Sequence, residues 1–207
     1  MNTENIKTTT QIGGYIAISG GVTMLIGAVL DTLAASSDVA GEINRLAVAN
    51  LTLWIIGVLL LGAAGTVMAN LCVEQRAMAQ IAAFSYATGV SLAITAFVAW
   101  LALVVQVAPE TDLVTEVIDW FASRADWTAT ILIIGTGPVL LARAGRGEWV
   151  PTWLAHWSIL AAITGLLTAV AMLTGGAGLL SYGFLIVPVG IGWMIAAGVV
   201  LLRHGGK

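Results

Sequence analysis

Hydrophobic residues along the chain fall into six long runs that short polar segments separate. The runs lack the apolar–polar alternation of strands, so they predict helices and argue against a β-barrel. A helix of about 20 apolar residues crosses the hydrocarbon core of a bilayer. We therefore predict an all-α bundle of six transmembrane helices in one domain over residues 1–207, with spans at about 12–33, 48–70, 79–106, 127–142, 152–174 and 181–202.

The segment between the third and fourth runs shows a different pattern, because its apolar residues recur on one face of a helix. The opposite face carries Asp112, Glu116 and Asp119. We predict a short amphipathic helix at about 111–122, lying on the outer membrane surface. Its acids indicate a cation site, a docking surface for a basic partner, or only a solvated face. The ligand spacing and turn glycine of a calcium loop are missing.

The composition identifies lipid as the solvent of these runs. Hydrophobic residues make up 59% of the 207 residues, charged residues only 9%, and the mean hydropathy is +0.98. A soluble domain is about one quarter charged, so a water-exposed fold could not cover this apolar surface. Six helices with short loops leave no room for a soluble catalytic domain. The single cysteine, Cys72, excludes an internal disulfide or a cysteine metal cluster.

Lysine and arginine are divided unequally between the two sets of loops, which predicts the orientation of the chain. One set contains six of these residues, and the other contains only Arg45 and Arg124. The richer side should be cytoplasmic, with both termini inside, in a bacterial-type inner membrane. Eight of the eleven acids fall on the outer side. The six cytoplasmic basic residues are Lys7, Arg76, Arg143, Arg146, Arg203 and Lys207.

Asp31 continues the small-residue face of the first span, four residues after Gly27. We expect it to point into the bundle near the outer surface, because a carboxylate that faces lipid is costly. Arg45 or Arg124 could pair with it. The pair would be structural, or Asp31 would be an outer gate or a cation-binding residue.

Polar residues form a stripe along the third span, at intervals that keep them roughly on one face of a helix. Such a stripe can line a pathway for a small neutral solute, or it can hydrogen-bond neighbouring helices. Both readings stay open. The stripe consists of Ser85, Thr88, Ser91, Thr95 and Gln106.

Glycine and proline interrupt the fourth and sixth spans. Proline removes a backbone hydrogen bond and bends a helix, and paired broken helices near mid-membrane are typical of transporter sites. Kinks that only aid packing are the alternative, because both residue types are common in spanning helices. The predicted breaks lie at Gly135, Gly137 and Pro138 in the fourth span and at Pro188, Gly190 and Gly192 in the sixth.

The sequence shows no pattern of catalytic, metal-binding or cofactor-binding residues. His156 and His204 both belong near the inner interface, which does not suit haem ligation across the bundle. No charged residue lies near the middle of a predicted span, which argues against ion-coupled transport. Basic residues are few and interfacial, which excludes nucleic acid as a partner.

The chain opens with "IGGYIAISGGVTMLIG" and closes with "VPVGIGWMIAAGVVLLR". With these segments and its six-helix layout, it resembles small bacterial integral membrane proteins that carry a domain of unknown function. The resemblance covers the whole chain and implies the same architecture. It implies no catalytic residue, because that family has none established. The final helix of those proteins often carries an acid between its proline and tryptophan, and this chain has none between Pro188 and Trp193.

These observations predict a non-enzymatic integral membrane protein, an accessory or assembly subunit that binds a membrane-protein partner or a second copy of itself within the lipid bilayer. A passive channel or carrier for a small neutral solute is the alternative. A lipid-modifying membrane enzyme is the second alternative, and it would require Asp31 and the outer acids to meet in one cleft.

Overall fold

Helices account for nearly all of the described chain. The computed structural model of the protein describes residues 3–36, 40–105, 112–174 and 186–205. Long apolar segments form helices because a helix pairs its backbone N–H and C=O groups internally and needs no water. The elements are α1 (Thr3–Ser36), α2 (Ala40–Asn70), α3 (Arg76–Val105), α4 (Asp112–Thr130), a π-helix (Ile131–Thr136), α5 (Gly137–Ala144), α6 (Thr152–Thr174) and α7 (Ile186–Gly205).

Six helical segments are long and apolar enough to cross a membrane, as is typical of a multi-pass membrane protein. The described residues contain no strand, and the one isolated β-bridge joins Arg146 to Val150 in a loop. The prediction of an all-α chain with six helices of membrane length is therefore confirmed.

The fourth helix differs from its prediction. The π-helix and α5 continue α4 directly, and together they provide a candidate span of 32 residues, Leu113–Ala144. The polar stretch 122–126 looked like a boundary between a surface helix at 111–122 and a span at 127–142. It contains neither glycine nor proline, so nothing in it ends a helix. A separate surface helix is therefore not confirmed, because its residues form the start of a long helix.

Neighbouring helices run antiparallel, and glycines lie where they approach closely. α1 packs between α2 and α7, α2 packs on α3, and α3 packs on α4. At Gly20 an added Cβ would meet Leu60 and Leu61 of α2, and at Gly14 it would meet the backbone of Gly198 in α7. Small residues permit this approach where apolar burial alone cannot drive association, because lipid is also apolar.

The bundle has two ends of different charge. At one end, which we call the basic end, the loop 71–75 meets Glu148, and the end of α7 lies against the start of α1. The predicted basic loops thus share one end of the bundle. At the opposite, acidic end, α1 and α3 finish and α2 and α4 begin. Asp31, Glu116 and Asp119 belong to the acidic end, together with Arg45 and Arg124.

Large side chains fill the interior between these ends. Trp193 donates its indole N–H to the carbonyl oxygen of Leu154 at 2.9 Å, which satisfies its polar group inside the bundle. Sulfur, aromatic and aliphatic groups occupy the rest of the space. The largest fully buried side chains are Trp193, Tyr86, Leu61, Met68, Leu141, Leu154, Ile191, Met194, Leu201 and Pro138.

A close backbone contact joins Gly165 of α6 to Gly135 of the π-helix, and it generates a stability prediction. An added Cβ at Gly165 would lie 2.9 Å from the Cα of Gly135, and backbone cannot move aside as a flexible side chain can. We expect Gly165→Ala to lower the free energy of unfolding in mixed micelles by about 1–3 kcal/mol, the usual cost of overpacking. Leu166→Ala, at a residue that is 66% exposed on the same helix, is the control and should change little. Equal stability of Gly165→Ala and the parent would contradict the contact.

Candidate functional site

The predicted break in the fourth span takes the form of a π-helix. The N–H of Gly137 donates to the carbonyl oxygen of Leu132, five residues earlier, instead of the usual four. Pro138 follows immediately and has no N–H to donate to Ile134. The wider turn accommodates this missing donor without ending the helix. π-helical turns inside α-helices occur frequently at functional sites, which makes this region a candidate site.

A buried tyrosine fills the space beside the π-helix. The ring of Tyr86 lies between two glycines: an added Cβ would come 2.5 Å from the ring at Gly65 and 2.7 Å from it at Gly137. Its hydroxyl donates to the sulfur of Met194 at 3.1 Å. The side chain is fully buried, so α2, α3, α5 and α7 are all joined through one residue. Sequence reasoning overlooked Tyr86, although the glycines it requires were visible.

The polar stripe of α3 does not face a single space. Ser85 is buried and donates to the carbonyl oxygen of Leu132 in the π-helix at 3.0 Å. Ser91 and Thr95 are exposed and donate to carbonyl oxygens of their own helix, one turn earlier. Thr88 is partly buried, and Gln106 lies outside the described residues. The structure thus brings Ser85 to a neighbouring helix and leaves the exposed members of the stripe on the outside of the bundle.

The glycines of the last helix act as recesses for side chains of other helices. Gly190 lies against Ile134, and an added side chain there would collide with it. Gly192 faces the ring of Trp157. Pro188 lies in the first turn of α7, where an N–H has no partner within the helix, so it does not interrupt α7. Residues 181–185 of the predicted sixth span lie outside the described residues.

Asp31 is held by an asparagine, not by an arginine. Its carboxylate accepts a hydrogen bond from the Asn50 side-chain nitrogen at 3.1 Å. Arg45 is exposed, and Arg124 lies 5.6 Å from the centre of the Trp120 ring. In the described part of the chain neither arginine forms an ion pair with Asp31. The other polar atom of Asn50, its buried Oδ1, has no hydrogen-bond partner among the residues that the structure describes.

On the acidic face of α4, Asp119 has a hydrogen-bond partner. Asp119 accepts a hydrogen bond from the indole N–H of Trp100 at 2.8 Å, which ties the start of α4 to the end of α3. Glu116 is exposed, and the side chain of Asp112 is not among those that the structure describes. Among the described residues, no three His, Cys, Asp or Glu side chains come together as metal ligands would.

Asp126 is one of the eight acids that the sequence assigns to the outer side. It lies within the continuous fourth helix, next to buried Ala125. It is partly buried, and its carboxylate makes no hydrogen bond or ion pair with any described residue. Asp126 lies one residue before the span predicted at 127–142, in a part of the fourth helix that no helix end interrupts.

A cluster at the basic end joins two loops that lie far apart in sequence. The Glu148 carboxylate accepts hydrogen bonds from the backbone N–H groups of Val73 and Glu74, at 2.8–3.0 Å. The Trp149 indole N–H donates to the sulfur of Cys72 at 3.4 Å, and that thiol donates to the carbonyl oxygen of Met68 at the same distance. These hydrogen bonds therefore link the loop between α2 and α3 to the loop before α6. No local pattern predicts it.

A pocket of about 240 Å³ opens beside this cluster, between the end of α2 and the start of α3. Its polar lining comes from the exposed side chains of Asn70, Arg76 and Gln80. Small residues form the rest, with Ala83 two turns along α3 from Arg76. None of the three polar side chains makes a hydrogen bond or ion pair with another described residue.

Searches of family models, of curated proteins and of solved structures found no match to this chain. The resemblance to six-helix bacterial membrane proteins therefore stays a prediction. Any functional assignment must come from the contacts of the chain itself.

The two serines of the α3 stripe provide a matched pair of variants. Ser85→Ala removes the hydrogen bond to Leu132 in the π-helix, whereas Ser91→Ala removes only a bond within α3. We expect Ser85→Ala to lower the free energy of unfolding by about 0.5–1.5 kcal/mol, and Ser91→Ala to have a smaller effect. Unfolding in mixed micelles measures both. A larger effect at Ser91 would contradict the assigned contact.

Thiol reactivity tests the cluster at the basic end. Burial is the main cause that raises the pKa of the Cys72 thiol; the hydrogen bond from Trp149 lowers it, and the charge of Glu148 raises it. A raised pKa leaves less thiolate at neutral pH, and burial limits access. Alkylation by a maleimide should therefore be slower than at an exposed cysteine by about an order of magnitude. Its rate should rise as the pH becomes alkaline.

The comparison protein carries Val73→Cys in a Cys72→Ala background, because Val73 is 76% exposed and adjacent in the same loop. The raised pKa of Cys72 also predicts how stability depends on pH. The unfolded thiol ionises at lower pH than the folded one, so this contribution to stability is complete below the unfolded pKa and declines at alkaline pH. Equal alkylation rates for the two cysteines would refute the buried arrangement.

Proposed function

We propose that this chain is a non-enzymatic integral membrane protein that binds another membrane protein through the acidic end of its bundle, as an accessory or assembly subunit does. The observation that carries the proposal is the exposed apolar and aromatic surface on the first half of α4. Leu113 is 69% exposed, Val117 58%, Trp120 61% and Phe121 52%.

The lengths of the helices support a projecting acidic end. The hydrocarbon core of a membrane requires a helix of roughly 20 residues. α1 has 34, α2 has 31, α3 has 30, and the fourth candidate span has 32. At 1.5 Å per residue, the fourth span is about 48 Å long, against a hydrocarbon core of about 30 Å. If its basic end lies at one interface, its first dozen residues extend beyond the opposite one.

Apolar side chains on that extension would be unfavourable in water. Burying a side chain of the size of leucine or phenylalanine is worth about 1.5–3 kcal/mol, so a partner that covers several of them gains substantial free energy. Contiguous exposed apolar surface edged by polar residues is typical of interaction sites. The adjacent acids, Glu116 and Asp119, favour a partner with basic residues, because they would repel anionic lipid headgroups.

The local geometry also favours a defined surface. The Trp100–Asp119 hydrogen bond and the packing of Arg124 on Trp120 orient polar and aromatic groups on neighbouring turns. Ala122 and Ala125 bury their methyl groups against Ala96 of α3, which holds the two helices close together. A rigid surface loses less conformational entropy on binding than a flexible one.

The alternatives receive less support from the interior. Tyr86 and Trp193 fill the middle of the bundle, and the exposed stripe residues Ser91 and Thr95 face outward, so conduction of a neutral solute has no described pathway. The lipid-modifying alternative would need Asp31 to meet the acids of α4. Asp31 is joined instead to Asn50.

We also infer that the basic end faces the cytoplasm of a bacterial-type cell and that the acidic end faces outward. Lys7, Arg76, Arg143, Arg146 and Arg203 share the basic end, and cytoplasmic loops are enriched in lysine and arginine. The partner would therefore be bound on the outer side of the membrane.

Photo-crosslinking in native membranes tests the proposed interaction. A benzophenone side chain at Val117 should form an adduct of discrete mass with a protein, because this position would lie within the interface. The same group at Leu166, which is 66% exposed on the membrane-spanning part of α6, should react mainly with lipid. Mass spectrometry identifies the adduct and separates a second copy of this chain from a different protein.

A charge-neutralising variant tests whether the partner is basic. Glu116→Gln removes a charge from the acidic face without changing the size of the side chain, and it should weaken the Val117 adduct if the partner is basic. The absence of a discrete protein adduct from both Val117 and Leu113 would refute the proposal.

A further inference from the structure

We propose that the pocket between α2 and α3 at the basic end binds the phosphate-bearing headgroup of an anionic phospholipid. Arg76 would contact the phosphate, and one acyl chain would lie along the alanine-lined part of the pocket. This inference does not depend on the protein partner proposed above, because it concerns the opposite end of the bundle.

The charge of the lining suits an anion. Arg76 contributes a positive charge, and the lining includes no acid. Arg76 is exposed, and within the described chain no carboxylate forms an ion pair with it. Its planar guanidinium can form two parallel hydrogen bonds to phosphate oxygens. The amide groups of Asn70 and Gln80 supply further donors at the same mouth.

The nearest acids are engaged or lie outside the lining. Glu148 accepts three hydrogen-bond contacts from the N–H groups of Val73 and Glu74, which offset its charge. The Glu74 side chain is exposed and does not line the pocket. The first turn of α3 contains no acid, so the positive end of its helix dipole is not neutralised there.

Polarity changes along the pocket in the order that a phospholipid requires. Arg76 lies at the start of α3, Gln80 is one turn further along, and Ala83 is nearly two turns further. Seven residues of helix correspond to about 10 Å, the distance from a headgroup to the upper part of its acyl chains. Ala69 and Ala79 leave room because their side chains are small and buried. A free anion would gain nothing from contact with this apolar part of the pocket.

The location agrees with the same ligand. Basic pockets between membrane helices on the cytoplasmic side bind anionic headgroups, and the basic end is the one that lysine and arginine mark. Val73, an apolar side chain that is 76% exposed at the pocket, lies where it can enter the headgroup region.

Lipid titration of the delipidated, purified protein tests the site. The probes are phosphatidylglycerol, phosphatidylcholine and glycerol 3-phosphate, and the readouts are the melting temperature in detergent and retained lipid in native mass spectrometry. We expect phosphatidylglycerol to raise the melting temperature most and to be retained as one lipid per chain. Glycerol 3-phosphate at equal concentration should have little effect, because it has no chain to fill the apolar part.

Variants assign the effect to the pocket. Arg76→Gln should weaken the binding of phosphatidylglycerol by about tenfold or more, since it removes a charge-assisted hydrogen bond to phosphate. Arg76→Lys should restore part of the affinity. Arg203→Gln removes an exposed charge from the same end outside the pocket and should leave binding unchanged. Ala83→Phe should fill the deeper part and weaken lipid binding with the charge intact.

Three results would overturn the proposal. Retention of phosphatidylglycerol by Arg76→Gln as by the parent would show that lipid binds elsewhere. Equal stabilisation by phosphatidylcholine and phosphatidylglycerol would indicate general annular lipid. Equal stabilisation by glycerol 3-phosphate would assign the pocket to a free anion.

Discussion

The backbone contact between Gly135 and Gly165 is the constraint on which the middle of the bundle depends. In lipid, apolar side chains gain little by leaving their solvent, so helices associate by close packing. Because two glycines meet here, the π-helix and α6 approach to within backbone contact. That approach carries Ile134 into the recess at Gly190 and brings Gly137 onto the ring of Tyr86. Three further helices are positioned through these two side chains.

The π-helix also shows how the chain satisfies its polar groups without water. Pro138 would leave a carbonyl without a donor in a regular α-helix, and such a group is costly inside a membrane. The five-residue hydrogen bond from Gly137 and the hydroxyl of Ser85 both reach the carbonyl oxygen of Leu132. The carbonyl oxygen of Leu132 therefore has two donors, one in its own helix and one in α3, in the turn that precedes the proline.

Satisfaction of polar groups differs between the two ends. At the basic end, Glu148 and Trp149 find partners in the loop 71–75. Towards the acidic end, among the described residues, the carboxylate of Asp126 and the Oδ1 of Asn50 have none. Exposed apolar residues accumulate on α4 at that same end. A protein that covered this apolar surface of α4 would gain the free energy of burying it.

How far the sequence could predict this structure depended on the range of each interaction. Hydrophobic runs predict membrane helices well, because each residue contributes its own transfer free energy. Hydrophobicity does not show where a helix ends when the helix continues beyond its apolar run. α4 continues in this way through Arg124 and Asp126. Periodicity placed Ser85 and Ser91 on roughly one face. Six residues on an α-helix correspond to a rotation of about 240°, so only Ser85 reaches the π-helix. Contacts such as Val73 with Glu148 join residues 75 positions apart, and nothing local specifies them.

The two ends therefore suit different neighbours for one physical reason. The basic end is closed by its own loops, and its exposed donors, Arg76, Asn70 and Gln80, lie at the mouth of a pocket whose deeper lining is apolar. A lipid headgroup matches that scale. The acidic end presents an extended helical face on α4 instead, and a small ligand could cover only part of it. The protein partner that we propose would match a surface of that extent, because it could bury Leu113, Val117 and Trp120 together while its basic side chains meet Glu116.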